Sequence, residues 1–140
     1  MRRVFDDVGV GDELPESARL VTRADVGSYA EASGDRNPLH LDDDVARAAG
    51  FERAIAHGML TMGHLASALV AWTGDVAAIQ RMRVQFRAPV LVEETIVAGG
   101  RVRALDPERR TAILEVWVRV DRAGGREWPI RRSEAEVRLA

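Results

Sequence analysis

The stretch HGMLTMGHLASALVAWTGD (57–75) decides the fold. Gly58 opens a helical pattern and Thr73-Gly74 closes it. Met59, Met62, Ala66, Leu69 and Val70 fall on one face, and Leu60, Leu65 and Trp72 widen the apolar sector until almost no polar side remains. Gly63, Ala66 and Ala68 keep the helix slim. A helix that is apolar nearly all round must be covered, and the sequence after it supplies a sheet to do so.

Residues 79–87 (IQRMRVQFR) alternate, with Met82, Val84 and Phe86 on one side and Arg81, Arg83 and Arg87 on the other, until Pro89 ends the run. A strand is expected over Thr95–Ala104 with a bulge at Gly99-Gly100, and Asp106-Pro107 marks a turn. Thr111–Asp121 places apolar residues at 112, 114, 116, 118 and 120, and Gly124-Gly125 turns a hairpin into Arg126–Leu139. Before the long helix, Thr22 caps a helix through Val26, Tyr29, Ala30 and Ser33 that stops at Gly34. Asp42 caps a shorter helix over Asp43–Ala49, and FERAIA (51–56) reads as an extended link. Helices first and at least four antiparallel strands after them predict an α+β domain, a curved sheet wrapped on one long helix.

Length and composition agree with this picture. A chain of 140 residues, 46% hydrophobic, without repeats or linkers, reads as one domain over 1–140. Twenty basic residues against 22 acidic ones give a net charge of −2, with no cationic excess to hold nucleic acid. The N-terminus has no apolar signal segment, and Leu65–Trp72 is far shorter than the roughly 20 residues of a membrane span. A cytoplasmic protein is expected. Cysteine is absent, which removes disulfides and thiolate chemistry. Lysine is absent too, so Schiff-base chemistry and a Walker-type phosphate loop are excluded. Acid–base chemistry is left to His40, His57, His64 or a carboxylate.

Between the first two helices lies SGDRNPLH (33–40), which resembles neither helix nor strand. Asp-Arg-Asn-Pro is ordinary turn chemistry, and on spacing alone a purely structural turn accounts for it. The chemical reading is that the loop braces Asp35 and His40 around one water. Hydration of a conjugated double bond needs a base for the water, an acid for the α-carbon and donors for the charge developing on the carbonyl oxygen. Asp35 and His40 meet the first two needs. The third is met at His57-Gly58, where a helix start presents unpaired N–H groups and glycine leaves room for an oxygen.

YAEASGDRNPLH (29–40), HLDDDVARAAGFERAIAHGMLTMG (40–63) and, more loosely, RMRVQFRAPV (81–90) resemble the MaoC-like dehydratases, or R-specific enoyl-CoA hydratases. YAEASGDRNPLHLDDDVARAAG (29–50), AIAHGMLTMG (54–63) and the closing EAEVRLA (134–140) carry a nearer similarity to the catalytic β subunit of the (3R)-hydroxyacyl-ACP dehydratases that serve mycolic-acid elongation. The resemblance implies a hot-dog fold and a hydro-lyase acting on CoA or ACP thioesters without metal or cofactor. It implies that Asp35 and His40 hold the reacting water, that the Gly58 N–H meets the thioester carbonyl, and that Asn37 and Pro38 shape the loop. A homodimer, or a heterodimer with a related hot-dog subunit, is expected.

The remaining candidates divide into bland and functional readings. His57 reads as a structural residue at the helix start and His64 as core or interface, as do Trp72, Trp117 and Trp128. Asp42-Asp43-Asp44 lacks the glycine and distal glutamate of a calcium loop and reads as a helix cap. Arg81, Arg83 and Arg87 form either a solvated strand face or a contact for coenzyme A phosphates or an acidic carrier protein. A hot-dog thioesterase is disfavoured, because the start of the long helix offers no carboxylate. A non-catalytic partner subunit should lack the Asp–His pair.

Overall fold

The computed structural model describes residues 1–140. After a short 3₁₀ turn at Phe5–Asp7 come strand β1 (Glu13–Leu20) and helices α1 (Arg23–Ser33), α2 (Pro38–Leu41), α3 (Asp43–Ala48) and α4 (Gly58–Thr73). Strands β2 (Ile79–Arg83), β3 (Thr95–Asp106), β4 (Thr111–Arg122) and β5 (Gly125–Arg138) follow. They form one five-stranded antiparallel sheet in the order β1-β3-β4-β5-β2, with α4 touching every strand. No helix is long and apolar enough to cross a membrane.

The helix ends follow the local sequence. Thr22 and Asp25 form a reciprocal capping box at the start of α1, and Gly34 ends it at φ 79°. Gly74 ends α4 at φ 70°, its N–H bonded to the Val70 carbonyl. The buried side of α4 is Thr61, Leu65, Ala68, Leu69 and Trp72, while Met59 stands 56% exposed. Burial therefore centres one step around the helix from the expected Met59–Val70 face. Leu65 and Leu69 are fully enclosed, and burying such a side chain contributes roughly 1.5–3 kcal/mol each. Facing them, Ala112, Leu114, Val116, Val118 and Val120 of β4 are all buried, as the alternation in that strand predicts.

Four expectations need correction. A strand precedes the helices: β1 was silent in the sequence because only Leu14 of its eight residues is buried, and Pro15, which lacks an N–H, suits a sheet edge. Gly99 and Gly100 sit in regular register opposite Trp117 and Val116, and the irregularity falls between Val102 and Ala104. The glycines are there for packing. A Cβ on Gly99 would lie 2.5 Å from the Trp117 indole nitrogen, and one on Gly100 would lie 2.9 Å from the Glu115 carbonyl. β2 stops at Arg83, because the Gln85 N–H turns to the Ser133 hydroxyl (2.9 Å) and only Phe86 returns to bridge Ile130. Finally, SGDRNPLH is partly helical, with Pro38 at the first position of α2.

Candidate active site

The site starts where α1 ends. Beyond Gly34, the Asp35 N–H bonds to the Ser33 hydroxyl (3.1 Å), and Asp35 Oδ1 accepts from the Asn37 N–H (3.2 Å). Asn37 Oδ1 in turn caps α2 by accepting from the Leu39 N–H (3.0 Å). Asn37 and Pro38 thus convert the loop into one helical turn that carries His40.

His40 is 12% exposed at its side chain, and its Nδ1 lies 2.7 Å from the Ile55 carbonyl. A carbonyl only accepts, so Nδ1 carries the hydrogen and Nε2 presents the lone pair of the neutral ring. That Nε2 stands 3.8 Å from Oδ2 of Asp35, the carboxylate oxygen the loop leaves free, on a side chain 55% exposed. The Ile55 carbonyl is itself held, since 54–56 runs extended against 90–92 through Ala56 N–H to Val90 (2.8 Å) and Val92 N–H to Ala54 (2.9 Å).

His57 is 3% exposed at the start of α4. Its Nε2 bonds to the Asp35 backbone carbonyl (2.9 Å), and its ring stacks on His40 with centroids 3.7 Å apart, with Tyr29 at 4.8 Å. The Gly58 and Met59 N–H groups, at the positive end of the α4 dipole, have no backbone or side-chain acceptor. His40, Ile55, Ala56, Gly58, Thr61 and Phe86 line a cleft of about 330 Å³; Asp35, outside that lining, approaches it only at His40 (3.8 Å). Phe86 packs over Gly58, where a Cβ would meet its ring at 3.1 Å.

Donor atoms of Asp35, His40 and His57 lie within 4.8 Å of one another. One nitrogen of each histidine is committed to a carbonyl, and stacking holds the two rings face to face rather than edge-on to a common point. The set suits proton transfer better than convergent metal ligation. His64 lies apart, its Nε2 bonded to the Ser17 carbonyl (2.8 Å), where it ties α4 to β1.

The three arginines separate. Arg87 lines the cleft, beyond the end of β2. Arg81 lies 3.7 Å from Glu136 and 3.9 Å from Glu134, and Arg83 lies 3.0 Å from Glu134, so those two are paired along β5.

One supporting residue was not foreseen in its role. Asp43 accepts from Arg23 (2.9 and 3.0 Å) and from the Ala54 N–H (3.0 Å), joining α1 and α3 to the segment that holds His40. Hydrogen bonding from Arg23, then from Ala54, holds its carboxyl below the ordinary range. The only trace of this in the sequence is the run of three aspartates, of which one suffices as a cap.

A sheet wrapped on one helix, with an Asp–His pair at that helix's N-terminal end, defines a hot-dog protein of the dehydratase type. Residues 10–121 match the MaoC-like domain, and the chain belongs to the MaoC-like dehydratase family. A 3-hydroxybutyryl-CoA dehydratase of Methylorubrum extorquens is 37% identical over 112 residues, covering 79% of this chain and 70% of that one. An (R)-specific enoyl-CoA hydratase of Rhodospirillum rubrum is 32% identical over 107 residues, covering 76% and 74%. Among solved structures, a MaoC-like dehydratase superposes with a TM-score of 0.89 at 38% identity. The match spans 99% of this chain but only 43% of that longer protein. The (R)-hydratase from A. caviae involved in PHA biosynthesis gives 0.85 at 29% identity, covering 95% and 98%.

Proposed function

We propose that this chain is an R-specific hydro-lyase that interconverts trans-2-enoyl and (3R)-3-hydroxyacyl thioesters, carried on CoA or ACP. The observation that carries the reading is the 3.8 Å gap between two unbonded acceptors, His40 Nε2 and Asp35 Oδ2, beside the free N–H of Gly58. A water in that gap gives a hydrogen to each acceptor and turns its lone pairs toward a bound alkene. Its oxygen attacks C3 as one member of the pair takes its proton, and that proton is then passed on to C2, so that OH adds at C3 and H at C2. The negative charge that develops on the thioester oxygen is met by the Gly58 N–H and the α4 dipole. Dehydration runs the same steps in reverse.

The relatives named as hydratases and dehydratases support this reading. The thioesterase alternative lacks a base, since α4 opens with Gly58, Met59, Leu60 and Thr61. A cytoplasmic dimer, with itself or with a related hot-dog subunit, belongs to the same proposal. So does Arg87 as the contact for the thioester's carrier. Crotonyl-CoA separates the alternatives in one incubation. A hydratase removes enoyl absorbance without releasing thiol, a thioesterase releases thiol, and a non-catalytic subunit does neither. Thiol release, or no reaction, would overturn the proposal.

A further inference from the structure

His57 is a buried titratable side chain to which the reaction above gives no step, yet it touches both of the residues that do have one. Its Nε2 bonds to the backbone carbonyl of Asp35 at 2.9 Å, and its ring lies on that of His40 at 3.7 Å with 23° between the planes. Its own backbone then leads directly into Gly58, and its carbonyl accepts from the Leu60 N–H (3.1 Å) in the first turn of α4. One residue thereby connects the Asp35 loop, the α2 turn and the helix start.

The hydrogen bonding is one-sided. The Asp35 carbonyl can only accept, so Nε2 carries the hydrogen and Nδ1 of the neutral ring is a bare acceptor. That Nδ1 is buried with no partner. Leaving a buried acceptor unsatisfied is costly, and a residue needed only to fill space would be served by phenylalanine, which leaves no such atom. What phenylalanine cannot do is donate to the Asp35 carbonyl. Leucine or glutamine, in turn, could not stack on His40.

We infer that His57 is a positioning residue that sets the Asp35–His40 separation, through its Nε2–H on the loop and its ring face on the catalytic imidazole. The inference rests on the reading of Asp35 and His40 given above. Without the donor, the carbonyl of Asp35 is released and the loop can drift. Without the ring, His40 keeps only its Nδ1 bond to Ile55 and can rotate about it. Neither the His57 ring nor the Asp35 carbonyl lines the cleft, so the effect should fall on turnover rather than on binding.

The test is a set of single substitutions assayed with crotonyl-CoA, each checked by thermal melting. His57→Phe and His57→Asn should each lower kcat by roughly 10²-fold, the cost of a displacement of about 1 Å at a reacting centre, with KM little changed. Asparagine is too short to place its amide where Nε2 stands. His57→Gln reaches that point but lacks the ring, so it should recover only the part of the loss due to the donor and turn over faster than His57→Asn. In a His40→Ala background, His57→Phe should cost nothing more, whereas a role in folding alone would lower the residual rate again. Wild-type kcat in His57→Phe, equal rates for the Asn and Gln variants, or a further loss in the double variant would each overturn the inference. A measurement on the unaltered protein stands beside these. Nitrogen-15 NMR of labelled histidine should find the His57 hydrogen on Nε2, and finding it on Nδ1 would refute the arrangement. Asp35→Asn run in parallel separates the two failures. If it keeps full activity the hydratase mechanism is wrong, and if it falls while His57→Phe does not, only the role of His57 is wrong.

Discussion

Oδ2 of Asp35 and Nε2 of His40 stand 3.8 Å apart, while the other polar atom of each is already bonded, Oδ1 to the Asn37 N–H and Nδ1 to the Ile55 carbonyl. The distance is beyond a hydrogen bond and short enough for one water to bridge. Both anchors come from the backbone, so the gap is a property of the loop and not of a single rotamer. A direct Asp–His bond would use up the His40 Nε2 and leave no room for a water between the two groups.

The second element of the site is the open N–H of Gly58, and the Phe86 ring is its neighbour. Gly58→Ala puts a methyl 3.1 Å from that ring. Phe86 is 51% exposed and can give way, so folding should survive. In the proposed binding mode the thioester oxygen meets the same methyl, and kcat/KM for crotonyl-CoA should fall by about 10-fold or more, up to the roughly 10²–10³-fold cost of removing an oxyanion donor. Phe86→Ala in the same chain should recover only the part of the loss due to the ring. Wild-type kcat/KM in Gly58→Ala would exclude this N–H as the donor.

Acid should loosen the frame around the site. The Thr22 N–H holds the Asp25 carboxyl low, and Arg23 does the same for Asp43. Burial pushes Glu94 up, but the bonds from Arg122 and the Leu91 N–H outweigh it and leave it lowered. Carboxyls with depressed values bind protons less readily when folded than when unfolded. Their stabilisation is therefore complete above the ordinary values of 3.8 for Asp and 4.5 for Glu, and is lost as pH falls through the lower folded values. Thermal melts should give a flat Tm from pH 7 down to about 5 and a falling one below about 4. Asp43→Asn should melt lower at pH 7 and depend less on acid. A Tm that stays level to pH 3 would contradict this.

Carrier recognition should rest on Arg87. Arg81 and Arg83 are already paired with Glu134 and Glu136, whereas Arg87 has no acidic partner and lines the cleft. An exposed pair is worth about 0–1 kcal/mol. Arg87→Ala should therefore raise KM for the CoA substrate several-fold at low salt, leave kcat unchanged, and lose its effect as salt rises. Arg81→Ala and Arg83→Ala should leave KM alone. Equal effects at all three positions, or an effect on a short pantetheine thioester, would argue for a role in shape rather than in carrier binding.

Assembly follows from the open sheet. β1 and β2 are both edges, and Met59, Phe86 and Leu41 leave apolar surface exposed near the cleft. Such edges and patches are usually covered by a partner. Sedimentation should find a dimer, with an active monomer of about 15.4 kDa at micromolar concentration as the contrary result.

The parts of this architecture legible in the sequence are those written locally. α4 declares itself because it is apolar on most sides and ends at a glycine in the left-handed region, and β4 because all five expected positions alternate inward. Asp35, Asn37, Pro38 and His40 were legible because one loop holds them all. β1 was not, since an exposed edge strand has no apolar period to display. Nor could the sequence show that Arg81 and Arg83 find glutamates about fifty residues later, or that the anchor of His40 is the carbonyl of Ile55. Backbone acceptors and distant partners leave no signature in residue type.

The central claim, that Asp35 and His40 together activate one water, is tested most directly by the rate of crotonyl-CoA hydration in Asp35→Asn, His40→Ala and the double variant. Each single substitution should lower kcat by roughly 10²–10⁴-fold, the usual contribution of a general acid or base. The double variant should be little worse than either, because both groups serve one water. Near wild-type turnover in either single variant would remove that residue from the mechanism, and fully multiplicative losses in the double would show that the two do not act on the same water.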